Sequence, residues 1–171
     1  VSHESFASLG EDASISNQVV AYIEQQTQLP YPECLSKLDQ KLISTARNIY
    51  IERLKQSPHV RPYMINKLPA NYQSLGLIYL LFPNAKFINI QRDYQAVAWS
   101  VFSNYFAENE PYFCSLTEFK QYYDLYQQLM SHWHSVMPDA LFDLQYEQLV
   151  TEPEQTISAL CEFLGVKYSN R

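Results

Sequence analysis

Three short apolar runs, separated by helical patterns, constrain the fold of this 171-residue chain more than any other feature of its sequence. The runs cover residues 63–66, 86–91 and 140–145. Between and around them, apolar residues recur at the three- and four-residue spacing of amphipathic helices. Strands that alternate with helices are typical of a parallel sheet covered by helices. We therefore predict one α/β domain with a short parallel sheet.

Boundary residues place the helices around these runs. Asp93 precedes one helical pattern as an N-cap, Pro153 opens another, and Gly165 ends it. Helices are predicted over residues 12–28, 36–56, 71–82, 93–106, 117–136 and 153–165.

Composition excludes several functions. Eighteen acidic residues against twelve basic ones give a net charge of -6, so no broad basic surface is available for a nucleic-acid backbone. The longest apolar stretch, residues 75–83, is far shorter than the roughly 20 residues of a membrane span. Cys34, Cys114 and Cys161 form neither a disulfide framework nor a metal-binding pattern, and we expect buried free thiols. His132 and His134 point to different faces of a helix, which disfavours a shared metal ion.

Glycine is scarce, and this limits how the chain could hold a phosphate. Gly10, Gly76 and Gly165 are the three glycines, and none lies near another. Neither a GxGxxG nor a GxxxxGK[ST] loop can therefore be present. Any bound phosphate must meet a few focused cations instead.

Polar pairs follow each apolar run: residues 66–67, 92–93 and 146–147. The carboxyl ends of parallel strands are where α/β proteins bind ligands, so we expect all three pairs at one end of the sheet. Arg92 precedes a helix N-terminus that favours an anion, and Ser100 could add a hydroxyl two turns later. Equally, Arg92 could pair with a carboxylate and Ser100 could bond a backbone carbonyl.

The remaining candidates are two acids and a lysine. Lys67 could act as a flexible point charge or could be a solvated lysine at a strand end. Glu11 and Asp12 could supply a general base, while Asp12 could equally serve as an N-cap.

The motifs together resemble a known family. FPNAKF, an Arg-Asp pair with a serine eight residues past the arginine, and YEQLV all occur within residues 65–166. This combination resembles sulfotransferases that use 3′-phosphoadenosine 5′-phosphosulfate. It is similar to bacterial members joined to tetratricopeptide repeats and to tyrosylprotein sulfotransferases, over about residues 2–166.

The resemblance implies roles for residues of this chain. Arg92 and Ser100 would hold the 3′-phosphate of the nucleotide, and Tyr146 would approach the same nucleotide. A second phosphate-binding arginine of the tyrosylprotein enzymes is Asn104 here, which would weaken that grip.

It also implies the chemistry of transfer, without a required metal. Lys67 would stabilise the moving sulfuryl group, and Asp12 aligns with the base of the tyrosylprotein enzymes, with Glu11 beside it. Both acids stay open as the base. The acceptor would be a hydroxyl on a peptide tyrosine, a glycan or a small molecule, and residues 107–115 could line its groove or form a plain loop. The bacterial likeness suggests a cytoplasmic location.

Finally, the resemblance implies a P-loop-like three-layer fold in which residues 1–171 form the C-terminal portion. The family's central first strand and its PRSGTT-like 5′-phosphosulfate loop precede a segment like SHESFASLGED, where this sequence begins. We expect activity to need those upstream residues. Unpaired strands next to the absent one would favour self-association. An inactive remnant that serves as an interaction module is the alternative, and a kinase of related architecture is a third.

Overall fold

The computed structural model describes residues 3–104 and 115–168, and these have the predicted mixed α/β architecture. Four strands and seven α-helices occur in the described residues. The strands are β1 (Phe6–Ser8), β2 (Tyr63–Ile65), β3 (Phe87–Gln91) and β4 (Leu141–Gln145). The helices are α1 (Ala21–Thr27), α2 (Gln40–Lys55), α3 (Leu75–Leu81), α4 (Tyr94–Ser103), α5 (Leu116–Val136), α6 (Tyr146–Thr151) and α7 (Pro153–Leu164). The chain divides into two compact units, residues 1–85 and 86–171.

In the first unit, β1 and β2 pair in parallel, with Phe6 opposite Tyr63. The rings of these two residues stack with centroids 4.9 Å apart. The helices that follow each strand bury a continuous apolar cluster, which stabilises the unit by removing side chains from water. The buried members of that cluster are Ile15, Val19, Val20, Ile23, Cys34, Ala46, Tyr50, Leu77 and Leu81.

Three predicted helices of this unit begin differently from the expectation, and the third, predicted over residues 71–82, has a 3-10 segment, Pro69–Ser74, before α3 starts at Leu75. The first starts as a π-helical segment, Ile15–Val20, before α1. The second starts at Gln40 rather than Ser36, because the Asp39 side chain accepts a hydrogen bond from the backbone N–H of Leu42 and caps α2. A short 3-10 turn occupies the preceding residues.

In the second unit, β3 and β4 pair in parallel over five positions, from Phe87 opposite Leu141 to Gln91 opposite Gln145. Asp93 caps α4 through the backbone N–H of Ala96, as predicted. Helix α7 begins at Pro153 and ends at Gly165, whose positive φ of 67° suits a helix C-terminus.

The strands form two two-stranded sheets rather than the single sheet predicted from the three apolar runs. Among the described residues, β2 pairs with β1, and β3 pairs with β4. Strand β1 was not predicted, because three residues are too short to show an alternating pattern. Residues 92–93 and 146–147 follow paired strands of one unit, as predicted, while residues 66–67 follow β2 in the other unit, and their place at the same sheet end stays a prediction.

Candidate functional site

The joined ends of β1 and β2 bring one set of the predicted residues together. The Leu9 N–H donates to the Ile65 carbonyl over 2.8 Å, and the Lys67 N–H donates to the Gly10 carbonyl over 3.0 Å. The pairing thus continues past both strands. It places the acids after Gly10 beside the residues that follow Ile65.

Glu11 and Lys67 form an ion pair at this point. The Lys67 ammonium donates to a carboxylate oxygen of Glu11. Both side chains are well exposed, Glu11 at 55% and Lys67 at 65%. At a solvent-accessible strand end, the Glu11 carboxylate can accept a proton, and the Lys67 ammonium can stabilise negative charge.

Asp12 is buried, with a side chain only 3% exposed. Oδ1 accepts from the Ser14 N–H at 3.0 Å, and Oδ2 lies 2.9 Å from Nη2 of Arg53. Burial raises the pKa of Asp12, but the hydrogen bonds from Ser14 and the charge of Arg53 outweigh it, and the pKa lies below its ordinary value. With both oxygens engaged and a lowered pKa, Asp12 is a poor proton acceptor.

Asn66 links the two loop ends. Its Oδ1 accepts from the Asp12 N–H at 3.3 Å, and its Nδ2 donates to the Asp12 carbonyl at 2.9 Å. The same Nδ2 lies 3.1 Å from the hydroxyl of Tyr50, a residue of the apolar core. Burial raises the pKa of Tyr50, so its hydroxyl stays protonated. One amide therefore fixes the loop after β1 to the loop after β2.

The joined ends of β3 and β4 bring together a second set. The Arg92 guanidinium carbon lies 5.1 Å from the centroid of the Tyr146 ring, which is within the range of a cation–π contact. No carboxylate of residues 3–104 or 115–168 lies within 4.0 Å of Arg92. Within the described chain, Arg92 therefore does not form the ion pair with a carboxylate that was the alternative to anion binding.

The start of α4 is fixed from two sides. The Asp93 carboxylate accepts from the Ala96 N–H at 2.9 Å, and the Asp93 N–H donates to Glu147 Oε1 at 3.1 Å. Glu147 follows β4, so this bond ties the two strand ends together. Arg92 therefore leaves the strand immediately before an ordered helix N-terminus, where the helix dipole favours a bound anion.

Ser100 lies two turns along α4, about 9 Å from its first residue at 1.5 Å per residue. It is half-buried, and its carbonyl accepts from Asn104 Nδ2 at 2.7 Å. Asn104 therefore folds back onto the end of α4 and also lies 3.5 Å from the Ser100 hydroxyl. No hydrogen bond joins Ser100 to Arg92 in the described residues.

Sequence reasoning missed Arg53. Its position in the sequence could have indicated its role, because Arg53 lies three residues after Tyr50, on the helix face that packs into the core. A cation on an apolar helix face needs a buried acid, and Asp12 is that acid. The link could not be found from the sequence alone, since 41 positions separate the two residues.

Other predictions concern metals, thiols and membranes. In the described ranges, no group of three or more metal-ligating side chains comes together, and no helix is long and apolar enough to span a membrane. Cys34 is a buried free thiol, as expected, whereas Cys161 is a free thiol that is only partly buried. Cys114 and most of the segment 107–115, the candidate groove lining, lie outside the described residues.

Comparison with known proteins identifies the family. A family model described as "Sulfotransferase family" matches residues 7–170. The chain therefore belongs to the sulfotransferase family, as the motifs indicated. A solved sulfotransferase domain from the curacin biosynthetic pathway matches with a TM-score of 0.50 and 20% identity, over 88% of this chain and 56% of that chain. This likeness confirms the predicted P-loop-like fold.

Three relatives show the breadth of the family. An uncharacterized protein of Aquifex aeolicus (strain VF5) is 31% identical over 82% of this chain and 19% of its own length. Protein-tyrosine sulfotransferase 2 of Gallus gallus is 28% identical over 77% and 36%. Omega-hydroxy-beta-dihydromenaquinone-9 sulfotransferase Stf3 of Mycobacterium bovis (strain ATCC BAA-935 / AF2122/97) is 31% identical over 62% and 29%. The chain spans less than two fifths of each of these relatives.

Proposed function

We propose that the full-length protein transfers a sulfuryl group from 3′-phosphoadenosine 5′-phosphosulfate to an acceptor hydroxyl. The observation that carries the proposal is the contact between the exposed Glu11 carboxylate and the Lys67 ammonium at the joined ends of β1 and β2. Membership of the sulfotransferase family supports the reaction class. The donor supplies the activated sulfuryl group, and the remaining chemistry is positioning and charge stabilisation, as in phosphoryl transfer.

Glu11 takes the proton of the acceptor hydroxyl in this proposal. Asp12 is the less suitable acid, because both of its oxygens are occupied and its pKa is lowered. Lys67 moves from the Glu11 carboxylate to the sulfuryl oxygens, which frees Glu11 for the proton. The acceptor oxygen forms the new bond to sulfur while the bond from sulfur to the bridging donor oxygen breaks, and adenosine 3′,5′-bisphosphate leaves.

Arg92, Ser100 and Tyr146 hold the nucleotide in this proposal. The residues present fit a phosphate, because Arg92 has no carboxylate within 4.0 Å in the described part of the chain and stands at an ordered helix N-terminus. Ser100 supplies a hydroxyl from the same helix. The ring of Tyr146 keeps the guanidinium at the strand end. The three glycines lie too far apart to form a glycine-rich loop for the 5′-phosphosulfate, and no PRSGTT-like motif occurs in this sequence.

The acceptor is proposed as a class. The relatives are named for protein tyrosine and for an omega-hydroxylated dihydromenaquinone, so both a phenol and a lipid-like alcohol are candidates. A tyrosine peptide and a hydroxylated isoprenoid quinone therefore form the first pair of acceptors to test.

The test is transfer of radiolabelled sulfate from the donor by the full-length protein, with each acceptor in turn. Lys67→Ala should lower kcat by about 100-fold or more, the usual cost of losing one stabilising group in the transition state. Glu52→Gln, which changes an exposed acid on α2 that pairs with Lys55, is the matched control and should retain activity. Absence of transfer to either acceptor class, with nucleotide binding intact, would favour the inactive interaction module.

A further inference from the structure

We infer that Asp12, Arg53 and Asn66 form a positioning cluster that holds the proton-accepting Glu11 against Lys67, and that Asp12 is not itself the base. The inference rests on the proposed function, since it assigns a task to residues around that same site. Its basis is a set of contacts within the first unit. None of the three residues needs to touch a reacting atom for this role.

The backbone of Glu11 is held on both sides. Before it, the Gly10 carbonyl accepts from the Lys67 N–H at 3.0 Å. After it, the backbone N–H and carbonyl of Asp12 are both bonded by the side chain of Asn66, at 3.3 and 2.9 Å. Asn66 and Lys67 are neighbours in sequence. The same two residues therefore set the position of the acid and supply the cation that faces it.

The interior of the unit also supports this arrangement. Asp12 is nearly fully buried, and its carboxylate bonds to Arg53, which belongs to the last turn of α2. Tyr50, one turn earlier on the same helix, contacts Asn66 through its hydroxyl while its ring lies in the apolar core. Helix α2 thus holds both loop ends, through Arg53 on one and Tyr50 on the other. A network that joins the buried Asp12 to the core residue Tyr50 through several hydrogen bonds has little freedom to shift.

The two neighbouring acids differ in their exposure to solvent. Glu11 is exposed and its partner Lys67 is exposed, so a substrate can reach both. Asp12 is shielded from solvent, and each of its carboxylate oxygens already contacts a donor, Oδ1 the Ser14 N–H and Oδ2 the Arg53 guanidinium. Adjacent carboxylates therefore have different tasks, one chemical and one structural.

The decisive experiment compares pH profiles of kcat for the full-length protein. Glu11→Gln should remove the acid limb of the profile, because that limb reports the free carboxylate of the base. Asp12→Asn should lower kcat yet keep the limb. Loss of the limb in Asp12→Asn, together with its retention in Glu11→Gln, would reverse the assignment and overturn the inference.

Three further variants test positioning. Asn66→Ala and Arg53→Ala should lower kcat by up to about 100-fold, the cost of a misplacement of about 1 Å, with KM for donor and acceptor nearly unchanged. Arg53→Lys should restore part of the loss, since it returns the charge. Lys55→Ala, on the same helix but paired with Glu52, is the matched control and should behave as wild type.

Two outcomes separate the possible failures. If the wild-type protein transfers sulfate and Asn66→Ala leaves kcat unchanged, the positioning role is refuted while the proposed function stands. If the wild-type protein transfers nothing, the proposed function fails and the positioning role falls with it. Should the alanine variants not fold, Tyr50→Phe removes a single hydroxyl and keeps the core ring. It should lower kcat without changing KM, and an unchanged kcat would count against the cluster.

Discussion

Replacing Arg53 by alanine would leave the buried Asp12 carboxylate without its cationic partner and should lower the free energy of unfolding. The Asp12 carboxylate is 3% exposed and loses a contact of 2.9 Å. A hydrogen bond to a charged group contributes about 1.5–3 kcal/mol, and breaking a fully buried ion pair costs about 3–5 kcal/mol. Because Arg53 is itself 37% exposed, water replaces part of what is lost. We expect a loss of about 2 kcal/mol at neutral pH.

The same pair makes the loss depend on pH. The pKa of Asp12 is lower in the folded chain than its ordinary value, which the unfolded chain retains. The ionised Asp12 carboxylate therefore stabilises the fold fully above the ordinary carboxyl pKa of about 4. This contribution disappears as the pH falls through the lower pKa that Asp12 has in the folded chain. The difference between wild type and Arg53→Ala should shrink in the same range.

Amide hydrogen exchange of the full-length protein measures this effect locally. Protection factors of peptides from residues 9–14 and from α2 should fall by about 30-fold at pH 7, the equivalent of 2 kcal/mol. At pH 3 the fall should be smaller. Lys55→Ala is the control, because it removes an exposed cation of the same helix. A difference below about 0.5 kcal/mol, as for an ordinary surface substitution, or one equal at both pH values, would refute the reasoning.

Three further predictions address the core, the nucleotide and association. Leu77→Ala removes a side chain with no solvent exposure and should destabilise the first unit by about 2–5 kcal/mol, as reported by exchange of α3; a neutral effect would contradict the described core. Tyr146→Leu removes the ring beside Arg92 and should weaken nucleotide binding by about 2- to 5-fold in calorimetry, the value of an exposed cation–π contact. Among the described strands, β3 pairs only with β4, and it exposes Ile88 by 39% and Ile90 by 61%. The 171-residue chain produced alone should therefore self-associate, Ile90→Lys should reduce this in light scattering, and a monodisperse wild-type monomer would contradict it.

Local signals in the sequence predicted much of the fold. Asp93 caps α4, and Pro153 and Gly165 bound α7, because these residues act through bonds to backbone groups only a few positions away. Strands β3 and β4 occur where apolar runs end at polar pairs. The contact of Arg92 with Tyr146 follows from that pairing, since parallel strands bring their carboxyl ends together.

The pairing of β1 with β2 could not be predicted from the sequence. Strand β1 has three residues, too few for a pattern, and its partner β2 lies more than 50 residues later. The burial of Asp12 against Arg53 depends on that pairing, because it brings the loop after β1 over α2. Two neighbouring acids therefore looked equivalent in the sequence, whereas the structure buries one and exposes the other.

Titration of adenosine 3′,5′-bisphosphate into the full-length protein tests the central claim most directly, because it needs no knowledge of the acceptor. We expect the nucleotide to bind the wild-type protein and to bind Arg92→Ala about 10- to 150-fold more weakly, the equivalent of 1.5–3 kcal/mol for a charged hydrogen bond. Lys120→Ala, which removes an exposed cation from α5 in the same unit, should bind as wild type does. Equal affinity in wild type and Arg92→Ala, or no binding to either, would contradict the account.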